Sequence, residues 1–184
     1  MLSRVVAFFM LLFLTPVFLI LGFLIVLNDG FPFFFTQKRI KNKNNFFKIY
    51  KFRTMKKSTP NIATHLLVNP EQYILKSGVF LRKLSLDELP NLINILKGDM
   101  VFVGPRPALY NQNELMRLRF DAGVSHLRLG LTGWAQINGR DEISLEKKVA
   151  LEKEYLQKKS LLFDAKIIFK TFTLAFLKKE GVSH

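Results

Sequence analysis

Two adjacent carboxylates sit in a cationic run, Arg82-Lys83-Leu84-Ser85-Leu86-Asp87-Glu88-Leu89-Pro90. A carboxylate can attack phosphorus and carry the transferred group as an aspartyl phosphate. A neighbouring acid can position a metal or handle a proton. A helix start and the nearby Arg82 would favour the ionised nucleophile. The same residues also have a purely structural reading. Ser85 followed by Glu88 has the spacing of a capping box, and Asp87 in a first turn suits the helix dipole. The two readings are compatible, because a capped helix is a rigid mount for a nucleophile.

Two further segments could hold anionic substrates. In Gly104-Pro105-Arg106-Pro107 a pair of prolines fixes the backbone around one arginine. A locked loop can aim a guanidinium for bidentate phosphate binding, or simply form a turn. Gly130-Leu131-Thr132-Gly133-Trp134-Ala135-Gln136-Ile137-Asn138-Gly139-Arg140 allows close backbone approach at its glycines. Arg140 could bind phosphate there, and core packing is the expected role of Trp134. Neither a Walker A loop nor a Gly-x-Gly-x-x-Gly run is present. His65, His126 and His184 lack metal-ligand spacing.

The elements that must carry these residues follow from periodicity and turn signals. Asn28-Asp29-Gly30 marks a turn, and 31–37 reads as a strand. Phe47-Lys48-Ile49-Tyr50-Lys51-Phe52-Arg53 alternates as a half-buried strand with a basic face. Residues 58–69 read as a loop, and helices are expected over 71–84, 85–96, 111–122 and 144–157. Residues 101–103 form a short buried run. Residues 163–178 form an amphipathic helix able to lie on a membrane.

Ahead of these lies an apolar run, uncharged between Arg4 and Asp29 and long enough to cross a hydrocarbon core as a helix. Thr15-Pro16 interrupts it near the middle, where proline removes a backbone donor. Positive charge flanks both ends. A helix that enters, breaks at Pro16 and returns would keep both flanks cytoplasmic, whereas a kinked span would place them on opposite sides. The chain has 184 residues, a formal net charge of +14 and a sequence pI near 10.1, which demand an anionic partner. Nucleic acid, an acidic membrane surface and phosphorylated substrates all fit that charge. No acidic residue occurs between Asp29 and Glu71, where lysines and arginines interleave with Phe46, Phe47, Tyr50 and Phe52. That pattern suits either a single-stranded nucleic-acid groove or an anionic lipid interface, and its place after a membrane segment favours lipid. There is no cysteine, hence no disulfide scaffold and no thiolate chemistry.

In this order, behind a Pro-interrupted anchor, the motifs resemble the bacterial sugar transferase family, the monotopic phosphoglycosyl transferases. The resemblance rests on Lys51-Phe52-Arg53-Thr54-Met55, Arg82 through Pro90, Leu96-Lys97-Gly98-Asp99-Met100, Val103 through Pro107, Leu131 through Arg140, Asp164-Ala165-Lys166-Ile167-Ile168 and Gly181-Val182-Ser183-His184. It implies a minimal member. A re-entrant membrane helix, 1–29, would precede a small cytoplasmic catalytic domain, 30–184. The fold would be mixed α/β with interfacial helices and no Rossmann core. It also implies that Asp87 attacks the β-phosphate of a UDP-sugar, that UMP leaves, and that polyprenyl (undecaprenyl) phosphate takes the phosphosugar. Asp87 would be nucleophile and contact for Mg2+. Glu88 would assist, Arg106 would hold phosphate, and Lys51, Arg53, Arg82, Arg140 and Asp164 would lie near the substrates. The implied location is the cytoplasmic face of the bacterial inner membrane. Anionic lipid would be a partner and nucleic acid would not. Copies of the chain or downstream glycosyltransferases are the protein partners it allows.

The sequence departs from the family pattern at Lys41, Asn44 and Asn45, where Gly, Gly and Lys are usual. Leu129 replaces a Pro, Glu152 replaces an Asp, and no Asp follows Arg4. None touches the dyad. Two rival readings stay open at this point: a membrane-anchored nucleic-acid binder and a non-catalytic scaffold.

Overall fold

The computed structural model describes residues 1–42, 45–60, 68–139 and 142–177. Helix α1, Leu2–Asp29, dominates one side of the molecule. Ala7, Met10, Leu11, Leu14, Val17, Phe18, Leu21 and Ile25 form one stripe at three- and four-residue spacing, and this stripe packs on the domain. Its first half meets Phe47, Ile49, Leu92, Ile95 and Met100. Its second half meets Phe52, Leu75 and Leu81. The opposite face leaves Phe8, Phe9, Phe13, Leu19, Phe23 and Leu27 exposed. The helix is long and apolar enough to cross a membrane, and only 17% of its most apolar window is buried. A soluble core helix would be mostly covered, so this face is suited to lipid.

The expected helix break at Thr15-Pro16 is not observed. Pro16 lies inside a continuous helix. Pro16 has no N–H to offer the Leu12 carbonyl, and the preceding Thr15 Oγ1 donates to the Leu11 carbonyl at 2.9 Å. Packing on both sides of the proline holds the helix together, through Leu14 before it and Val17 and Phe18 after it. Both ends are tied to the domain as well. Arg4 Nη2 donates to the Lys97 carbonyl at 3.1 Å, and Arg53 Nη2 donates to the carbonyls of Asp29 (3.1 Å) and Gly30 (2.6 Å).

Strands β1, Phe34–Asn42, and β2, Asn45–Phe52, form an antiparallel hairpin. The expected first strand is thus displaced toward the hairpin turn. The helix expected over 71–84 splits into a 3-10 turn, Pro70–Tyr73, and α2, Lys76–Lys83. The split is enforced by the extended chain beside it: Lys56 N bonds to Tyr73 O and Leu75 N to Thr54 O.

The helix expected over 85–96 also changes. Ser85 adopts a left-handed conformation (φ 54) and makes no side-chain cap, so the capping box does not form. Leu86–Glu88 is a 3-10 turn, and α3, Asn91–Lys97, starts only after Pro90. A single α-helix through this stretch would place Pro90 in its interior, where it costs a hydrogen bond and clashes.

Strand β3, Val101–Val103, pairs in parallel with β4, Gly130–Thr132, across a connection that contains α4, Asn113–Asp121. Short α5, Trp134–Ile137, leads to α6, Leu145–Lys158, and α7, Leu161–Leu177. The described sheets are therefore both two-stranded, within a mixed α/β fold. Trp134 packs toward the core formed by α4, α6 and α7, as expected, with its ring 5.0 Å from that of Phe163.

Gly78 in α2 lies against the main chain of Thr54, and a Cβ there would collide with the Thr54 carbonyl oxygen. Because that oxygen also receives Leu75 N, α2 cannot yield without losing a hydrogen bond. Gly78→Ala should destabilise the protein by about 1–3 kcal/mol, read as a fall in thermal midpoint in detergent.

Candidate active site

The turn before α3 puts the two acids on different neighbours. Glu88 Oε1 accepts from Lys51 Nζ of β2 and from Arg106 Nη2 of the Pro-Arg-Pro loop, both at 2.9 Å. Burial alone would raise its carboxyl. The Arg106 and Lys51 charges and hydrogen bonds outweigh that and hold it well below the usual carboxylate range. Asp87 is only 4% exposed, and its Oδ1 is buried with no hydrogen-bond partner. Burial, followed by the neighbouring Glu88 charge, pushes Asp87 up to about 6 against the pull of Lys51, Arg82 and Arg106. One acid is thus a neutralised strut. The other is a desolvated carboxylate that ionises close to neutral pH.

Arg106 is presented by a loop pinned through its carbonyls, the groups that proline leaves intact. Pro105 O accepts from Gly130 N (2.8 Å), Arg106 O from Arg119 Nη2 (2.9 Å), Pro107 O from Arg39 Nη1 (2.9 Å) and Ala108 O from Ile40 N (3.0 Å). Arg119 is itself clamped by Glu152 through Nε–Oε2 (2.7 Å) and Nη2–Oε1 (2.5 Å), with both residues buried. The departure from Asp to Glu at 152 therefore leaves a fully engaged carboxylate.

The structure brings together Asp87, Glu88, Lys51, Arg82 and Arg106. Arg82 sits at the end of α2, with Nε donating to Thr54 Oγ1 at 2.9 Å. Its burial lowers its pKa, and the Asp87 charge opposes that. Two residues expected near the substrates have other contacts. Arg53 turns to the end of α1 and pairs with Asp29 at 3.4 Å, because the helix leaves carbonyls there that need donors. Asp164 accepts from Tyr155 OH at 2.8 Å, a hydroxyl that also lies 3.3 Å from Val103 O, and so braces the root of the loop. Arg140, His65 and His184 lie outside the described residues, and His126 is exposed. Sequence reasoning missed Arg39 and the Arg119–Glu152 pair. Arg39 was hidden in a uniformly basic stretch. Arg119 and Glu152 belong to amphipathic helices where charge ordinarily means solvent.

Among the described residues no three His, Cys, Asp or Glu side chains converge as a metal cage. A divalent cation that takes most ligands from substrate phosphates needs only one or two carboxylates. The unpartnered Oδ1 of Asp87 fits that role.

Because Asp87 is raised in the folded state, the cost of burying its charge is absent below its unfolded pKa near 3.8. Stability is lost as pH rises from there through about 6. Asp87→Asn should therefore raise the thermal midpoint at pH 7.5, by up to about 3 kcal/mol in stability. Near pH 4 the variant should match the wild type.

Comparison with known proteins fits this geometry. Residues 1–178 match the family described as bacterial sugar transferase. The exopolysaccharide production protein ExoY of Rhizobium meliloti (strain 1021) is 37% identical, covering 92% of this chain and 81% of its own. The uncharacterized sugar transferase EpsL of Bacillus subtilis (strain 168) is 42% identical, over 85% of this chain and 75% of its own. The UDP-glucose:undecaprenyl-phosphate glucose-1-phosphate transferase of Escherichia coli (strain K12) is 36% identical, over 95% of this chain and 39% of its own. Two of these three relatives are named as transferases. With its apolar α1 and its carboxylate dyad among cations, the chain belongs to the bacterial sugar transferase family and is a membrane-associated enzyme that transfers phosphosugars.

Proposed function

We propose that the enzyme moves a sugar-1-phosphate from a UDP-sugar to undecaprenyl phosphate, or a polyprenyl phosphate like it, through a covalent intermediate on Asp87. The observation that carries this reading is the state of Asp87: buried, raised to about 6, with one oxygen unpartnered and Lys51, Arg82 and Arg106 acting on it. Two relatives are named for undecaprenyl-phosphate glucose-1-phosphate and galactose phosphotransfer, which supports the acceptor class. The Asp87 carboxylate attacks the β-phosphorus, a P–O bond forms, and the bond to the UMP oxygen breaks. The phosphate oxygen of the acceptor then attacks the same phosphorus and releases Asp87, leaving a polyprenyl diphosphosugar. Lys51 and Arg106, held in place by Glu88, balance charge on the phosphoryl oxygens. Mg2+ held by Asp87 and the donor diphosphate would offset the negative charge of the bridge.

A soluble donor and a lipid acceptor must meet at an interface. Both ends of α1 contact the domain, through Arg4 and Asp29, and each end lies beside cationic groups. That supports a monotopic anchor whose two flanks stay on the cytoplasmic face of the bacterial inner membrane. An ordinary span would carry one end away from the domain.

Purified protein in detergent with Mg2+ and undecaprenyl phosphate should release UMP from one or more members of a UDP-sugar panel. Asp87→Asn should abolish release, and no release from folded wild type with any donor would refute the reading. Turnover should fall about tenfold per pH unit below about 6, where Asp87 takes up its proton. Arg106→Ala should lower turnover by about 10²–10³-fold.

A further inference from the structure

The two faces of the hairpin meet different surroundings. Side chains alternate along a strand. In β2, Lys51 reaches Glu88, whereas Lys48 and Tyr50 belong to the other face. Lys38 of β1 stands directly opposite Lys48, and both are exposed. Like charges in that position destabilise a hairpin. Two rings lie among these cations. Lys38 Nζ sits 4.2 Å from the centre of the Phe46 ring, which is 47% exposed. Lys97 Nζ of α3 sits 5.3 Å from that of Tyr50. Among the described residues no carboxylate pairs with Lys38, Lys48 or Lys97. The neighbouring Asp99 is already taken by Lys41 at 2.6 Å.

Cations set against one another without a counter-charge call for an anion from outside the chain. The setting of the patch identifies its source. The Lys97 carbonyl receives Arg4 at 3.1 Å, so the patch adjoins the start of α1. There Leu2, Phe8 and Phe9 are exposed on a helix suited to lipid. A basic strip with exposed rings, joined to a lipid-facing helix, has the make-up of a headgroup contact, with rings at the boundary and ammonium groups among phosphates. A nucleic-acid groove would account for the patch but not for the apolar helix end beside it.

We propose that the outer face of the hairpin, formed by Lys38, Phe46 and Lys48 with Lys97 beside them, docks on the phosphates of anionic phospholipids in the leaflet that holds α1. Lys51 lies on the same strand with its side chain on the opposite face, so docking fixes the dyad side of the hairpin relative to the bilayer.

The test titrates full-length protein in neutral detergent with phosphatidylglycerol or phosphatidylcholine in mixed micelles and reads binding by thermophoresis. Wild type should prefer phosphatidylglycerol by about 10–30-fold, and about 1 M salt should remove the preference. Lys38→Gln combined with Lys48→Gln should lose most of that preference. Its thermal midpoint should equal or exceed that of the wild type, because a repulsive pair is removed. Lys147→Gln combined with Lys153→Gln removes the same charge from exposed positions on α6 and should keep the preference. UMP affinity should be the same in wild type and the hairpin variant. No preference in wild type, a preference that survives in the hairpin variant, or an equal loss in the α6 variant would each overturn the proposal. A tenfold loss of UMP affinity in the hairpin variant would assign the lysines to the soluble substrate instead. Binding of single-stranded RNA by wild type that the hairpin variant loses, with no preference between the lipids, would assign them to nucleic acid.

Discussion

One carboxylate oxygen organises this molecule. Glu88 Oε1 receives Lys51 from the hairpin and Arg106 from the Pro-Arg-Pro loop, so three segments distant in sequence converge on a single atom. A buried ion pair of this kind is weak evidence for stability, because desolvation offsets attraction. Its value here is geometric. The loop is already pinned from behind by Arg119 and Arg39, and the hairpin by its packing on α1 and α3. The ion pair therefore joins two rigid bodies rather than two flexible arms. The negative charge that it consumes is the one next to Asp87. Without those cations, two adjacent buried carboxylates could not both ionise near neutral pH.

The burial of Asp87 has its own logic. Asp87 is excluded from water on the same turn that exposes Glu88 to cations, and the irregular backbone makes this division. In a regular capped helix the two acids would have been spent on free N–H groups at its start. The left-handed Ser85 and the 3-10 turn aim them into the protein instead.

The gathering of these charged side chains was legible in the sequence because they are residue types that are costly to bury without purpose. Asp87, Glu88, Lys51, Arg82 and Arg106 all meet in the site. The hairpin strands, the 101–103 run, α4, α6 and α7 were legible from periodicity, whereas β4 and α5 were not. What failed was local geometry under competition. Ser85 and Glu88 have the spacing of a capping box, yet Pro90 forbids the helix that the box would start. Pro16 reads as a break, yet side-chain packing on both sides overrides it. Arg53 has the right charge for a phosphate yet is engaged by the end of α1, and Asp164 is engaged by Tyr155.

The stripe of α1 enters two of the three apolar clusters among the described residues. The anchor is consequently not a detachable module. A generic hydrophobic helix of equal length could hold the chain at a bilayer, but it would not supply Ala7, Leu21 and Ile25 to the interior. Its two faces answer to different solvents and should drift under different rules. The lipid side can exchange one apolar residue for another of almost any shape. The inner stripe can change only in concert with the strands and helices it touches, so membrane attachment and catalytic architecture are inherited as one unit.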